Sequence, residues 1–446
     1  MVRSMTATRG DSRKVLLRRQ LEKARRQTDL LFDLVNPAAF YERPVAERHR
    51  IIFYLGHLEA FDWNMVCGSS FEMKPFDEEL NRIFAFGIDP VEDNLPADRP
   101  SDWPSIEAAR RYNIQARHAV DDCLEKVDLS RRDHPYVENG LIFWVAIEHR
   151  LMHAETLTYL LHWLPFELKH AVAPPHGDER PAPQARQILI PAGETTLGLK
   201  RDNEWQFGWD NEFEAQSVHV PPFEIDVYKV TNAQYLEFVR SGGYQERSLW
   251  TDTAWTWIEA QGIQFPKFWV KRGERWWYRA MFGEIPLPPS WPVYVSHAEA
   301  SAYARWLGKS LPTEAEFHRA AFGEAACEKP SRISDDGTMS TSSGNFGFQR
   351  WEPLPVDFYA EVASGVGVVE PVGNGWEWTG SVFAPFDGFE PLPFYPGYSA
   401  SFFDNKHFVL KGASSRTADR FTRRSFRNWF QPYYPHIYSG FRCVQR

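Results

Sequence analysis

The sequence is poor in cysteine and has no long apolar run, and both absences limit what the protein can be. Only four cysteines occur among 446 residues, and Cys67, Cys123, Cys327 and Cys443 show no paired spacing of the kind that zinc sites use. Such scattered cysteines predict reduced thiols in a cytoplasmic protein, or small buried apolar side chains. No stretch approaches the ~20 apolar residues of a membrane-spanning helix, and no secretory leader opens the chain, so we expect no membrane partner.

Basic charge is scarce outside the N-terminal region. The net charge of −9 argues against a general nucleic-acid-binding protein. Arginine and lysine cluster within residues 13–26, but Leu17, Leu21 and Leu30 run through this region at helical spacing. We therefore interpret the cluster as the solvated side of a helix. The length exceeds that of a usual single core, which predicts two domains.

Residues 143–164, F-W-V-A-I-E-H-R-L-M-H-A-E-T-L-T-Y-L-L-H-W-L, contain the strongest chemical signal. They lack Gly and Pro and repeat apolar residues at helical spacing, which predicts a helix. His149 and His153 are four positions apart, so both imidazoles project from one face and could bind one metal ion. Glu155 is rotated by roughly 200° from His153 and should point away. The alternative is a pair of ordinary core or surface histidines.

A third metal ligand has to come from another segment, and His57 is the best candidate. It lies in I-I-F-Y-L-G-H-L-E-A-F-D-W-N, which also predicts a helix with an apolar seam. This helix is expected at about 45–67, closed by Gly68, and further helices at about 11–35 and 105–127. Residues 1–170 therefore predict a four-helix bundle, a scaffold that builds metal sites from facing side chains. The long loop that follows the second helix is of a length that often has a function.

The second half of the chain differs from the first in composition and in its predicted secondary structure. Residues 171–186 are rich in Pro, Gly and charge and predict an extended linker. Short β-like runs follow at 188–190, 217–220 and 223–230, and two short helices are expected at 232–241 and 297–307. The rest is rich in Gly, Trp and Phe without a long periodic segment. This pattern predicts a mixed domain over residues 187–446.

Five motifs of this half resemble the formylglycine-generating-enzyme (sulfatase-modifying-factor) family. They are V-T-N-A-Q-Y-L-E-F (230–238), P-V-Y-V-S-H-A-E-A-S-A-Y-A-R-W (292–306), L-P-T-E-A-E-F (311–317), G-N-G-W-E-W-T (373–379) and G-F-R (440–442). The resemblance implies a C-type-lectin-like fold. In that family a cysteine pair near the end of the domain binds copper. Cys327 and Cys443 do not form such a pair, so that activity is disfavoured.

The first half resembles the DinB-like helical bundle, whose members bind a metal through three histidines. The resemblance assigns these places to His57, His149 and His153. A DinB-like bundle ahead of a sulfatase-modifying-factor domain is the architecture of ergothioneine-type sulfoxide synthases and of selenoneine synthase. Y-P-G-Y-S-A-S-F-F-D (395–404) and S-F-R-N-W (425–429) resemble this group specifically. The expected class is α+β, with an N-terminal DinB-like four-helix bundle and a C-terminal C-type-lectin-like domain.

The resemblance implies a non-haem iron(II) oxygenase that joins sulfur or selenium to the imidazole C2 of hercynine, a trimethylated histidine. Three neutral imidazoles on Fe(II) would leave three positions for O2, donor and acceptor. Asn428 matches the residue that holds the acceptor's polar end, and Trp429 and Phe430 are further substrate-binding candidates, since aromatic faces suit a quaternary ammonium. A tyrosine near the iron supplies a proton or electron in related enzymes. Tyr395 and Tyr398 are the candidates, although either could be a simple packed aromatic.

Departures from the family pattern bear on the donor. Actinobacterial members hold the carboxylates of γ-glutamylcysteine with arginines in the loop after the second helix, and use an aspartate after the N-W pair. This loop instead carries Asp89, Glu92 and Asp93 with no arginine before Arg99, and Phe430 follows the N-W pair. We therefore expect a selenosugar donor, with Asp89 binding its hydroxyls, ahead of free cysteine or γ-glutamylcysteine. Alternatively these carboxylates only solvate the loop.

Other functions remain open at this point. One is an ergothioneine sulfoxide synthase that uses cysteine or γ-glutamylcysteine. Another is a DinB-type metal-dependent thiol transferase, which would consume no O2 and would leave the lectin-like half unexplained. A binding module without turnover would leave the histidine set unexplained.

Overall fold

The computed structural model describes residues 9–85, 97–131, 134–172, 177–201, 207–323 and 343–446. The chain divides into two compact units, Met1–Ala173 and Pro174–Arg446. The first unit is helical, and the second combines short strands with short helices. The expected α+β class is therefore confirmed. No helix in the described ranges is both long and apolar enough to cross a bilayer.

Four long helices and one short helix form the described part of the helical unit. They are α1 (Arg9–Phe32), α2 (Ile51–Trp63), α3 (Glu78–Phe84), α4 (Ile106–Lys126) and α5 (Leu141–Trp163). The sequence predicted the four long ones but not α3, which begins where the Asp77 carboxylate accepts a hydrogen bond from the backbone N–H of Leu80. The predicted second helix, expected to end near Cys67, instead changes after Trp63 into a π-helical segment, Asn64–Ser70.

Helices α2 and α5 form the centre of the bundle. Every residue of α2 is buried, and so are most residues of α5. Helix α1 packs on α5, and α4 packs on α2, so each central helix is covered by an outer one. Most basic residues of α1 are exposed, as predicted. Arg13 and Arg25 depart from that prediction, because both are buried. Arg13 donates a hydrogen bond to Asn139, and Arg25 forms an ion pair with Asp121 of α4 at 2.7 Å.

A buried ion-pair network joins the two central helices. Arg150 of α5 is fully buried and its Nη2 lies 2.6 Å from carboxylate oxygens of both Glu59 and Asp62 of α2. Arg117 of α4 also pairs with Glu59, at 2.7 Å. Burial raises the pKa of Asp62 to about 6, whereas the two guanidinium groups outweigh burial and lower the pKa of Glu59 to about 2. Buried charges need such partners, so the network fixes how α2 and α5 face each other.

The described part of the second unit contains four small sheets. One has the order β1 (Gln187–Ile190), β4 (Phe223–Asp226), β12 (Val444–Gln445), and a second pairs β2 (Gly193–Leu197) with β3 (Gln216–Val220). A third is the meander β5 (Trp269–Arg272), β6 (Arg275–Ala280), β7 (Gly283–Pro286). The fourth has the order β10 (Asn428–Phe430), β9 (Phe408–Ala413), β8 (Gly375–Val382), β11 (Ser439–Gly440), with the β8–β11 pair parallel. The run predicted at 223–230 ends as a strand at Asp226.

Four short helices accompany these sheets. They are α6 (Asn232–Arg240), α7 (Asp252–Gln261), α8 (His297–Trp306) and α9 (Glu314–Phe322). The predictions of α6 and α8 are confirmed, whereas α7 and α9 were missed. Helix α9 begins with a capping box between Thr313 and Glu316. The T-E-A-E tetrapeptide in the sequence is the signal that could have revealed it.

Two of the motifs that suggested the fold meet in a buried ionic cluster. Glu377, from G-N-G-W-E-W-T, accepts hydrogen bonds from Arg442 of the G-F-R motif at 3.0 Å and lies 2.8 Å from Lys229 Nζ. Arg442 also donates to the backbone carbonyls of Val369 and Glu370. All three charged side chains are buried. These motif residues hold the unit together, since each satisfies another's buried charge.

We predict that Arg150→Met will lower the free energy of unfolding of the helical unit by about 3–5 kcal/mol, because it removes the ion-pair partner of buried Asp62 and leaves Glu59 with Arg117 alone. Urea unfolding followed by helical circular dichroism measures this loss. The matched control is Arg18→Ala, which removes an exposed ion pair with Glu125 and should cost no more than about 1 kcal/mol. Equal effects of the two variants would contradict the role given to the buried network.

Candidate metal centre

His57, His149 and His153 lie together in the core of the helical unit, and none is more than 4% exposed. One nitrogen from each ring lies within 4.8 Å of the other two. Helix α2 provides His57, and α5 provides the other two one turn apart, as the i, i+4 spacing predicts. In the described residues no other group of three His, Cys, Asp or Glu residues meets this spacing, and Glu155 is not part of the group.

The hydrogen bonds identify the nitrogens that face inward. The Nδ1 of His57 lies 2.8 Å from the backbone carbonyl of Phe84, and a carbonyl only accepts, so Nδ1 carries the proton. The Nε2 of His57 is buried without a hydrogen-bond partner in the described part of the chain. The Nε2 atoms of His149 and His153 are 3.1 Å apart. Two nitrogens held at right angles by one ion at ~2.1 Å lie about 3.0 Å apart, so the spacing of the His149–His153 pair fits a shared metal ion.

All three imidazoles are in the neutral form that binds metals. Burial lowers the pKa of His57 to about 4, although the hydrogen bond to Phe84 opposes the shift. Burial and the neighbouring imidazoles hold the pKa values of His149 and His153 well below the ordinary value. At neutral pH each ring therefore offers a lone pair without first losing a proton.

Two phenyl rings cover the faces of these imidazoles. Phe61 stacks on His149 with ring centroids 3.4 Å apart and an interplanar angle of 11°. Phe53 stacks on His57 at 4.5 Å and 23°. Both phenylalanines belong to α2 and are buried. They fix the planes of the imidazoles and keep water from them.

Helix α3 orients His57 through its last residue. Phe84 is fully buried, and its ring lies directly against Gly56 of α2, where any Cβ would overlap it. The glycine thus allows α3 to come close enough for the Phe84 carbonyl to reach His57. Such outer contacts fix the tautomer and orientation of a metal-binding histidine. Sequence reasoning missed both residues, although an isolated glycine beside a histidine in an apolar helix was a signal of close approach.

The residues predicted to bind substrate lie in the second unit, on and near β10. Trp429 is half-buried and stacks on Phe383 at 4.3 Å and 7°. Tyr398 and Phe402 each lie with ring centroids 5.5 Å from Trp429. Phe430 is not part of this group, since it stacks on Tyr434 at 5.3 Å. Trp429 and Phe430 are adjacent in β10, and consecutive side chains of a strand point to opposite faces, so the two rings lie in different surroundings.

The predicted catalytic tyrosines are neighbours, with ring centroids 5.8 Å apart. Tyr398 is nearly buried and stacks on Trp209 at 3.9 Å, whereas Tyr395 is half-buried. The Oδ1 of Asn428 accepts a hydrogen bond from the backbone N–H of Trp429 at 2.9 Å. The structure therefore brings Tyr395, Tyr398 and Trp429 into one aromatic cluster. Asp89 lies outside the described residues, as do Glu92 and Asp93.

A buried acidic segment supports the aromatic cluster, and sequence reasoning missed it. Asp210 hydrogen-bonds Ser399, next to Tyr398, and Glu212 accepts from Ser425 at 2.7 Å and from Arg423 Nε at 2.9 Å. Both carboxylates are buried. The sequence feature that could have revealed this segment is the tetrapeptide W-D-N-E, in which two carboxylates follow a large aromatic residue. The segment fixes the loop that carries Trp209 beneath Tyr398.

Comparisons with known proteins agree with both units. Residues 173–446 match the sulfatase-modifying factor enzyme 1-like domain, and residues 20–157 match the DinB superfamily. The hercynine oxygenase of Mycolicibacterium thermoresistibile is 34% identical over 345 residues, which cover 75% of this chain and 74% of that protein. The hercynine oxygenase of Mycolicibacterium smegmatis is also 34% identical, covering 79% of each chain. Ergothioneine biosynthesis protein 1 of Neurospora crassa is 26% identical over 91% of this chain, which spans 54% of that protein.

We predict that Gly56→Ala will weaken binding of Co(II), used as a spectroscopic probe, by about 10–100-fold. The added methyl group displaces Phe84, and the carbonyl no longer orients His57. Absorption titration of the metal-free protein measures the affinity. The control is Gly68→Ala in the neighbouring π-helical segment, where the nearest atom to a new Cβ is at 3.5 Å. Unchanged Co(II) affinity in Gly56→Ala would show that the carbonyl contact is dispensable.

Proposed function

The chain belongs to the ergothioneine-type sulfoxide synthase family, and we propose that it is an O2-dependent non-haem iron(II) enzyme that attaches sulfur or selenium to C2 of hercynine. The observation that supports this most directly is the convergence of three buried, neutral imidazoles in a chain 34% identical to a hercynine oxygenase. Such a donor set without a carboxylate is suited to a divalent transition metal with open positions. Fold alone would not give this function, so the proposal rests on the site.

The three histidines hold the iron through their Nε2 atoms in this proposal. Bound iron(II) supplies the capacity to activate O2. His57 is held in its metal-binding tautomer by the Phe84 carbonyl, at 2.8 Å. Phe53 and Phe61 cover the imidazole faces and exclude water, which protects a reactive centre from side reactions.

The aromatic cluster around Trp429 is proposed to bind hercynine. A trimethylammonium group cannot donate a hydrogen bond and is stabilised by aromatic faces, which Trp429, Tyr398 and Phe402 supply. Asn428 is proposed to hold the polar end of the same molecule. Phe430 is also a proposed substrate-binding residue, but outside the aromatic cluster, on the face of β10 opposite Trp429. One of the two tyrosines is proposed to supply the proton, with Tyr395 favoured because its side chain is the more accessible.

A selenosugar is the donor we propose, with an ergothioneine-type sulfur donor as the second candidate. The acidic loop, with Asp89, Glu92 and Asp93 and no arginine before Arg99, would repel the two carboxylates of γ-glutamylcysteine. Carboxylates such as Asp89 accept hydrogen bonds from sugar hydroxyls. The second candidate, with cysteine or γ-glutamylcysteine, is favoured by the names of the similar proteins, hercynine oxygenase and ergothioneine biosynthesis protein 1.

We further propose a cytoplasmic enzyme whose partners are small molecules: hercynine, the donor and O2. Free thiols at Cys67, Cys123 and Cys443 support a reducing compartment. Residues 1–170 and 187–446 are proposed as the two domains, with residues 171–186 as the linker. A metal-dependent thiol transferase would leave the sulfatase-modifying-factor-like domain without a role.

We predict that His149→Ala and His153→Ala will each abolish iron retention and turnover while the protein stays folded. Each variant removes one of three ligands, and no carboxylate belongs to the group among the described residues. Iron content after anaerobic loading and desalting, together with circular dichroism, measures the outcome. His118→Ala, at an exposed position of α4, is the control and should keep its iron. Equal iron in the histidine variants and the parent would refute the metal centre.

A second prediction concerns the donor. Iron-loaded protein, hercynine and O2 should give a higher kcat/KM with a selenosugar than with γ-glutamylcysteine, because the acidic loop disfavours a dicarboxylate. Mass spectrometry of the products and an oxygen electrode measure both reactions. A higher kcat/KM with the peptide would overturn the selenosugar proposal and leave the oxygenase intact. Turnover of a thiol without O2 uptake would instead indicate a thiol transferase.

A further inference from the structure

Three sulfur atoms meet beside the C-terminal end of α2, apart from the histidine site. The Sγ atoms of Cys67 and Cys123 are 3.7 Å apart, and the Sδ of Met73 is 3.8 Å from the Sγ of Cys123. Cys67 belongs to the π-helical segment Asn64–Ser70, and Cys123 to the last turns of α4. The two cysteines are 56 positions apart in sequence, so the packing of α4 on α2 brings them together.

The pair is enclosed but close to the surface. Cys67 is fully buried and Cys123 is 5% exposed, whereas Met73 is 44% exposed. The backbone N–H of Met73 donates to the carbonyl of Cys67 at 3.0 Å, which folds the chain back over the thiols. Cys123 therefore lies just beneath a partly exposed thioether, and the burial of both thiols favours a small oxidant over a protein thiol as reaction partner.

The surrounding charges disfavour free thiolates at this site. Asp62 and Asp122 both act electrostatically on Cys67, so two thiolates would add negative charge beside two carboxylates. Donation of a hydrogen bond to Cys123, burial and these carboxylates raise the pKa of Cys67, whereas acceptance of that hydrogen bond lowers the pKa of Cys123. A disulfide carries no charge and removes both ionisable groups from this environment.

We propose that Cys67 and Cys123 are a redox modification site, which hydrogen peroxide converts to a disulfide that small thiols reduce again. The Cys123 thiolate attacks one peroxide oxygen and becomes a sulfenic acid, and the other oxygen leaves as water after taking up a proton. The Cys67 sulfur then attacks the sulfenic sulfur, forms the S–S bond and releases a second water. The two thiols lose two electrons and two protons, and one peroxide becomes two waters.

The disulfide would join the extension of α2 to α4 across a long chain segment. Cross-links that close long loops stabilise a fold mainly by restricting its unfolded state. In cytosolic proteins such bonds are usually transient and redox-sensing. Since α2 also carries His57, the cross-link would hold one wall of the histidine site under oxidising conditions. The proposal is independent of iron and of the reaction proposed above.

The test uses the full-length, metal-free protein treated with a small excess of hydrogen peroxide. We expect the intact mass to fall by about 2 Da, a linked peptide pair containing Cys67 and Cys123, and reversal by dithiothreitol. The thermal midpoint of the helical transition should rise on oxidation. The control variant Cys443→Ser changes a buried cysteine of the other unit and should still form the bond.

Two further variants test the order of the steps. Cys67→Ser should accumulate a sulfenic acid at Cys123 that dimedone captures, whereas Cys123→Ser should resist peroxide. Full alkylation of both cysteines after peroxide treatment, or a disulfide to Cys327 or Cys443, would overturn the proposal. The Cys67–Cys123 linkage is measured on the parent protein, so a variant that fails to fold does not affect that result.

Discussion

The helical unit depends on how polar groups are satisfied at the centre of an apolar bundle. Helices α2 and α5 bury three imidazoles and a guanidinium side by side, in a region that excludes water. Arg150 neighbours His149 in sequence, and its ion pairs with Glu59 and Asp62 set the register between the two helices. That register brings His57 to the other two histidines. The need to pair the buried charge of Arg150 therefore also positions the three histidines.

The histidine cluster could be predicted because its determinants are local. The i, i+4 spacing on α5 and the apolar seam of α2 are visible in short stretches of sequence. The Arg150 network and the Cys67–Cys123 contact could not be predicted, because each joins residues far apart in the chain. For the Phe84 carbonyl, Gly56 signalled a close approach to α2 but not which residue makes it. Helix α9 differs: its Thr313–Glu316 capping box was present in the sequence and was overlooked.

The second unit shows that a motif can identify a fold without identifying a reaction. The residues Glu377 and Arg442, from two of the recognised motifs, bond to each other in the interior. The predicted substrate-binding residues behave differently, since Trp429 joins an aromatic cluster while Phe430 packs elsewhere. The sequence alone could have predicted that these two residues face different surroundings, because consecutive side chains of a strand point to opposite faces.

The π-helical segment after Trp63 also separates two parts of one continuous helix. Its wider turns accommodate more residues for the same rotation than an α-helix does, as an inserted residue would. Insertions or deletions within residues 64–70 would rotate the thiol-bearing end while leaving the ligand-bearing end in place. A change of length in this segment would therefore move the sulfur cluster without altering the histidine site.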